Sequence, residues 1–89
     1  MPILSTFYGL VVRMYAEGDG KHHTPHIHVT YQGVEYEIGL EGEDLSTPVL
    51  KGNRRKYLDV WMDIHKDELS ANWDLLSAGD PAFRIDPLK

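Results

Sequence analysis

The stretch HIHVTYQGVEYEIGL, residues 26–40, decides the fold of this chain. It contains two runs that alternate apolar and polar residues, and the dipeptide Gln32-Gly33 lies between them. Alternation with a period of two is typical of strands, and a two-residue linker with glycine is typical of a β-hairpin. With Gln32 and Gly33 as the turn, Tyr31 pairs with Val34 and the rest of the register follows.

This register gives the predicted hairpin one apolar and one polar face. On the polar face His28 pairs with Glu37, and His26 lies two residues before His28 on the same strand. A shift of one residue would mix the two faces, so the pattern itself supports the register. The apolar face is expected to join the core, and its members are Ile27, Val29, Tyr31, Val34, Tyr36 and Ile38.

The flanking sequence predicts an earlier strand and a helical second half. Residues 5–15 are rich in aromatic and β-branched residues, which predicts a strand with Gly9 as a bulge. From about residue 53 to 78 apolar residues recur every three or four positions, which predicts one long or two short helices. Residues 80–89 are expected to form an arm. A small antiparallel β-meander of three to four strands, covered by these helices, makes an α+β fold.

The composition narrows the class of protein. A length of 89 residues predicts a single domain, residues 1–89, with strands between about residues 5 and 40. The lack of cysteine excludes disulfides and cysteine-ligated zinc. A net charge of −5 argues against broad nucleic-acid binding, although RNA contact through KGNRRK, residues 51–56, stays open. Without a leader or an apolar run long enough for a membrane span, we expect a cytoplasmic protein with no membrane partner.

The segment HHTPHIHV, residues 22–29, holds four of the five histidines, and its function stays open between three interpretations. The first is a metal site. A His-x-His on a strand directs both rings to one side, as a divalent metal ion requires, so His26 and His28 are candidate ligands and a glutamate can supply a third. No other cofactor is expected. His22 and His23 belong to the preceding loop and are weak candidates.

The second interpretation is acid–base catalysis without a metal ion. A carboxylate orients an imidazole, and here Glu37 faces His28. If the first strand pairs with the hairpin, Arg13 and Tyr15 fall on the same face, where Arg13 would stabilise a phosphoryl oxyanion. These four residues and His26 are the candidate catalytic set of a metal-independent ribonuclease. The third interpretation is an ordinary polar sheet face in solvent.

Several short motifs together resemble a known family. They are Phe7-Tyr8-Gly9, Arg13, Tyr15, Pro25-His26-Ile27-His28-Val29, Gly33, Trp61, His65, Asp67-Glu68-Leu69, Asn72 and Trp73. In combination they resemble the small bacterial family catalogued as domain of unknown function 4160, over nearly the whole chain. The family usually lacks histidines where His22 and His23 stand.

The resemblance implies a cytoplasmic bacterial protein from a two-gene, toxin–antitoxin-like locus. It would act mainly by binding a small cognate protein encoded nearby. Whether it is also an enzyme, a homodimer or an RNA-binding protein stays open at this point.

Overall fold

A computed structural model describes residues 2–15 and 24–89. In these residues four strands form one antiparallel sheet in the order β1-β2-β3-β4, and two helices follow. The elements are β1 (Ile3–Phe7), β2 (Leu10–Arg13), β3 (His26–Tyr31), β4 (Val34–Gly39), α1 (Asn53–Ile64) and α2 (Lys66–Ser77). The predicted α+β fold is therefore confirmed. Neither helix of the described chain has the length and apolar character to cross a membrane.

The β3–β4 hairpin has the predicted register, with Tyr31 opposite Val34 and His28 opposite Glu37. Gln32 and Gly33 have φ angles of 50° and 79°, and this left-handed conformation matches the twist of a two-residue hairpin. Most of the apolar face is buried or packs against the core. Val34 is an exception, because the end of the hairpin next to the turn is exposed to solvent.

The segment predicted as one strand is a second hairpin. Tyr8 and Gly9 have φ angles of 49° and 80°, so they form a two-residue turn, and Phe7 pairs with Leu10 across it. The prediction of one strand over residues 5–15 is therefore wrong. The sequence does not reveal this turn because tyrosine seldom adopts a left-handed φ, so Tyr8-Gly9 does not have the composition typical of a two-residue hairpin turn.

The core lies between the helices and one face of the sheet. Trp61 of α1 is fully buried, and its ring centroid lies 5.2 Å from that of Phe7. The helical pattern breaks at His65, whose N–H still donates to the carbonyl of Trp61. The buried apolar residues are Leu4, Phe7, Leu10, Val12, Met14, Ile27, Val29, Ile38, Leu50, Leu58, Trp61, Met62, Leu69 and Ile85.

Residues 80–89 form an arm without regular secondary structure. The N–H of Ile85 donates to the carbonyl of Leu4 on β1, and the indole N–H of Trp61 donates to the carbonyl of Asp86. The buried amide of Asn72 makes two hydrogen bonds to the backbone of Phe83, one as donor and one as acceptor. These bonds hold the arm against both the sheet and the helices.

Arg55 fixes the connector between β4 and α1. Its guanidinium donates to the carboxylates of Asp44 and Asp59 and to the carbonyl of Gly42. Burial on its own would lower the pKa of Arg55, but the hydrogen bonds to the two carboxylates outweigh burial and raise that pKa. Within the basic cluster of residues 51–56, Arg55 therefore has acidic partners in the chain itself.

Candidate functional site

Three neighbouring strands place Arg13, His28 and Glu37 in one row across the sheet. Arg13 of β2 pairs with His28 of β3, and His28 pairs with Glu37 of β4. Successive side chains of a strand point to opposite faces, so this row lies on the face opposite to the buried Ile27 and Val29. The alternation of the hairpin sequence therefore builds the core and the polar site at the same time.

His28 lies at the centre of this row, and its side chain is only 2% exposed. Its Nδ1 atom lies 3.6 Å from Oε2 of Glu35 and 3.7 Å from Oε1 of Glu37. These separations exceed those of a hydrogen bond. Within the described residues, neither ring nitrogen of His28 has a hydrogen-bond partner. Leaving such a buried group unpaired costs ~1–3 kcal/mol, so a ligand that binds the imidazole would remove this cost.

His26 is also buried, with an exposed fraction of 3%. Its Nδ1 atom lies 2.9 Å from the backbone carbonyl oxygen of Thr24. A carbonyl only accepts, so Nδ1 carries a proton and donates it to this carbonyl. Histidines that bind metal ions usually donate their second ring N–H to a carbonyl or a carboxylate in this way.

Two aromatic rings pack against the histidines. Tyr15 stacks on His28 with ring centroids 4.4 Å apart and planes at 15°. The ring of Trp73, from α2, lies 5.4 Å from that of His26. The interpretation of this face as an ordinary solvated surface is therefore wrong at its centre, because these rings contribute to burying both imidazoles.

The remaining polar residues surround the histidine pair. Arg13 is half-buried, and its guanidinium donates to the hydroxyl of Thr30 at 3.3 Å. Glu35 is exposed, whereas Glu37 is partly buried. All five predicted catalytic residues, Arg13, Tyr15, His26, His28 and Glu37, thus belong to this site. His22 and His23 lie outside the described residues.

His26, His28 and Glu37 form a group that can hold a metal ion. Each offers one ligand atom, and these atoms all lie within 4.8 Å of one another. Two ligands bound tetrahedrally at ~2.0–2.2 Å from one ion are ~3.3–3.6 Å apart, close to the observed separation of His28 and Glu37. All three atoms would have to approach one another more closely than 4.8 Å to bind the same ion.

Two parts of the site were not predicted: the carbonyl of Thr24, which orients His26, and the ring of Trp73, which packs against His26. A proline favours extended backbone in the residue before it, but this signal does not give the direction of a carbonyl. The spacing of apolar residues predicts helices, but it does not show where α2 meets the sheet.

A family model described as "Domain of unknown function (DUF4160)" matches residues 9–74, which is more than half of the chain. The chain belongs to the DUF4160 family. The DUF4160 match contains the site histidines His26 and His28, together with Glu37 and the aromatic residues Tyr15 and Trp73. The site therefore lies within the family's domain. No curated protein and no solved structure gives a significant match.

Proposed function

We propose that this DUF4160 protein binds a divalent transition-metal ion through His26, His28 and Glu37. One observation carries the proposal: the buried imidazole of His28 has no hydrogen-bond partner among the described residues, yet it lies 3.7 Å from the carboxylate of Glu37. A metal ion between these groups would satisfy a ring nitrogen that is otherwise costly to bury.

The chemistry of the ligands indicates the class of metal. Two imidazoles and one carboxylate suit Zn²⁺ and the neighbouring transition metals, whereas Mg²⁺ and Ca²⁺ prefer oxygen ligands alone. Three protein ligands would leave a fourth position for water or a small molecule. Glu35 is a candidate for a further ligand, because its carboxylate lies 3.6 Å from Nδ1 of His28.

The metal-independent ribonuclease is less well supported. An acid–base histidine needs direct access to the proton that it transfers. His28 is only 2% exposed, so its ring nitrogens do not face solvent, where an RNA phosphate would approach. Arg13, the residue expected to stabilise a phosphoryl oxyanion, already donates a hydrogen bond to the hydroxyl of Thr30.

Calorimetric titration of the chelator-treated protein with Zn²⁺ tests the proposal. We expect one ion per chain for the wild type. Glu37→Gln keeps the shape of the side chain but removes its charge, so binding should weaken at least ~10-fold. His65→Ala is the matched control, because it removes an imidazole that is bonded to Glu68 and lies outside the group. Unchanged affinity in Glu37→Gln, or an equal loss in His65→Ala, would exclude this site.

The toxin–antitoxin role and the small cognate protein implied by the family resemblance stay predictions. Co-expression with the product of the neighbouring gene, followed by gel filtration, addresses both. A joint peak would support a partner, whereas two separate peaks would contradict it. This outcome is independent of the metal titration.

A further inference from the structure

An apolar stripe runs along the exposed side of α1. Tyr57, Val60 and Ile64 are three and four residues apart, so they share one side of the helix. Val60 is 51% exposed and Ile64 is 61% exposed. Tyr8, which is 46% exposed, extends the stripe, because its ring lies 4.7 Å from that of Tyr57. We call these four residues the α1 stripe.

Two exposed charges of opposite sign border the stripe. Lys56 and Asp63 are both helical neighbours of Val60, one four residues before it and the other three residues after it. Neither makes an ion pair within the described residues, whereas Arg55 and Asp59 of the same helix pair with each other. The side of α1 that bears the stripe therefore has an apolar centre, a positive end and a negative end.

We propose that the α1 stripe is the contact between two copies of this chain. The helices would pack antiparallel around a two-fold axis through Val60. Positions before Val60 then meet positions after it on the other copy, so Tyr57 lies against Ile64 of the partner subunit. Lys56 lies against Asp63 of the partner subunit, and the symmetry repeats each contact.

Charge complementarity favours a second copy over another occupant. The antiparallel arrangement matches each end of the stripe with an opposite charge and places apolar residues together at its centre. A parallel arrangement would instead place Lys56 at the same level as Lys56 of the partner subunit, so neither charge would meet an opposite one.

Tyr8 and Tyr57 are already held in position before association. Their ring centroids lie 4.7 Å apart, Arg54 donates from Nε to the backbone carbonyl of Tyr8 at 2.8 Å, and its guanidinium carbon lies 6.0 Å from the centroid of Tyr57. Fixing side chains in advance lowers the entropic cost of association. A contact formed largely by one helix is small, so we expect a weak, concentration-dependent dimer.

Sedimentation equilibrium over a concentration series reaching ~1 mM tests the dimer. The wild type should shift from the 10.2 kDa chain to twice that mass. Val60→Glu should stay monomeric, because each copy would place a charge at the centre of the contact. Ala71→Glu adds the same charge at an exposed position of α2 and should dimerise like the wild type. Circular dichroism checks that both variants are folded.

Charge reversal tests the antiparallel arrangement. Lys56→Glu and Asp63→Lys should each raise the dissociation constant roughly 10-fold, because each places like charges at two symmetric positions. The double variant restores opposite charges and should recover most of the lost affinity. A wild type that is monomeric throughout the series would overturn the dimer, and a double variant weaker than both single variants would overturn this arrangement.

Discussion

His28 and Glu37 lie directly opposite each other on β3 and β4, and Nδ1 of the imidazole is 3.7 Å from Oε1 of the carboxylate. The pair is too far apart for a hydrogen bond, and the separation suits two ligands of one ion. The register that sets this distance also buries Ile27 and Val29 on the other face. A slip of one residue would therefore destroy the core and the site together.

Replacing His28 by phenylalanine should separate metal binding from folding. Phenylalanine fills a similar space without ring nitrogens, so it removes two buried polar atoms that lack partners in the described chain. Removing the unpaired nitrogens is favourable and fitting the larger ring is unfavourable, so the metal-free variant should unfold with a free energy within ~1 kcal/mol of the wild type. Zn²⁺ at 100 times its dissociation constant should stabilise only the wild type, by ~2.7 kcal/mol. Urea denaturation with and without Zn²⁺ measures both.

Either of two results would contradict this view of His28. A loss of several kcal/mol in the metal-free variant would mean that the imidazole makes a structural bond. Stabilisation of the phenylalanine variant by Zn²⁺ as strong as that of the wild type would mean that the ion binds elsewhere.

Asn72→Ala should release the C-terminal arm. The side chain is fully buried and makes both of its hydrogen bonds to the backbone of Phe83. Losing them should cost ~1–3 kcal/mol. The amide of Ile85, which donates to Leu4, should then exchange its hydrogen at least ~10-fold faster. Hydrogen exchange measured by NMR checks this. Ser70→Ala, on the exposed side of the same helix, is the control, and an unchanged Ile85 rate in Asn72→Ala would contradict the prediction.

The hairpin could be predicted in detail because its sequence contains both the alternation and the turn. Only one register separates the apolar from the polar residues, and a two-residue turn allows that register. The pairing of His28 with Glu37 followed from the same pattern and agrees with the structure. The apolar spacing likewise predicted the helices, with a break that the structure places at His65.

The burial of the histidines could not be predicted from local sequence. It depends on Tyr15 and Trp73, whose rings come from other parts of the chain. The first hairpin was missed for a different reason, since Tyr8 adopts a conformation that its residue type disfavours. Periodicity gives the face on which a side chain lies, but not which side chains cover it.

Arg55→Lys should destabilise the fold although the charge is kept. Lysine cannot reproduce the planar set of donors with which Arg55 binds Asp44, Asp59 and Gly42. We expect a loss of ~1–2 kcal/mol in free energy of unfolding. Arg84→Lys is the control, because Arg84 is exposed and makes no ion pair within the described residues. Equal stability of the two variants in urea would show that the guanidinium geometry is unimportant.

A matched pair of glycine substitutions should separate backbone strain from side-chain crowding. Gly9 and Gly33 have φ angles of 80° and 79° in equivalent hairpin turns. A Cβ atom at Gly33 would meet nothing within 4 Å, so Gly33→Ala should cost only the conformational strain, ~1 kcal/mol. A Cβ atom at Gly9 would lie 3.3 Å from the ring of Tyr31.

That ring packs against the core and lies 5.5 Å from the guanidinium carbon of Arg54, so moving it disturbs both contacts. Gly9→Ala should therefore cost ~2 kcal/mol or more, the sum of the strain and the crowding. Urea denaturation of both variants measures the difference. In a chain that already carries Tyr31→Val, the further change Gly9→Ala should cost only as much as Gly33→Ala costs in the wild type. If Gly9→Ala and Gly33→Ala lose the same free energy of unfolding, the ring of Tyr31 moves aside without destabilising the fold.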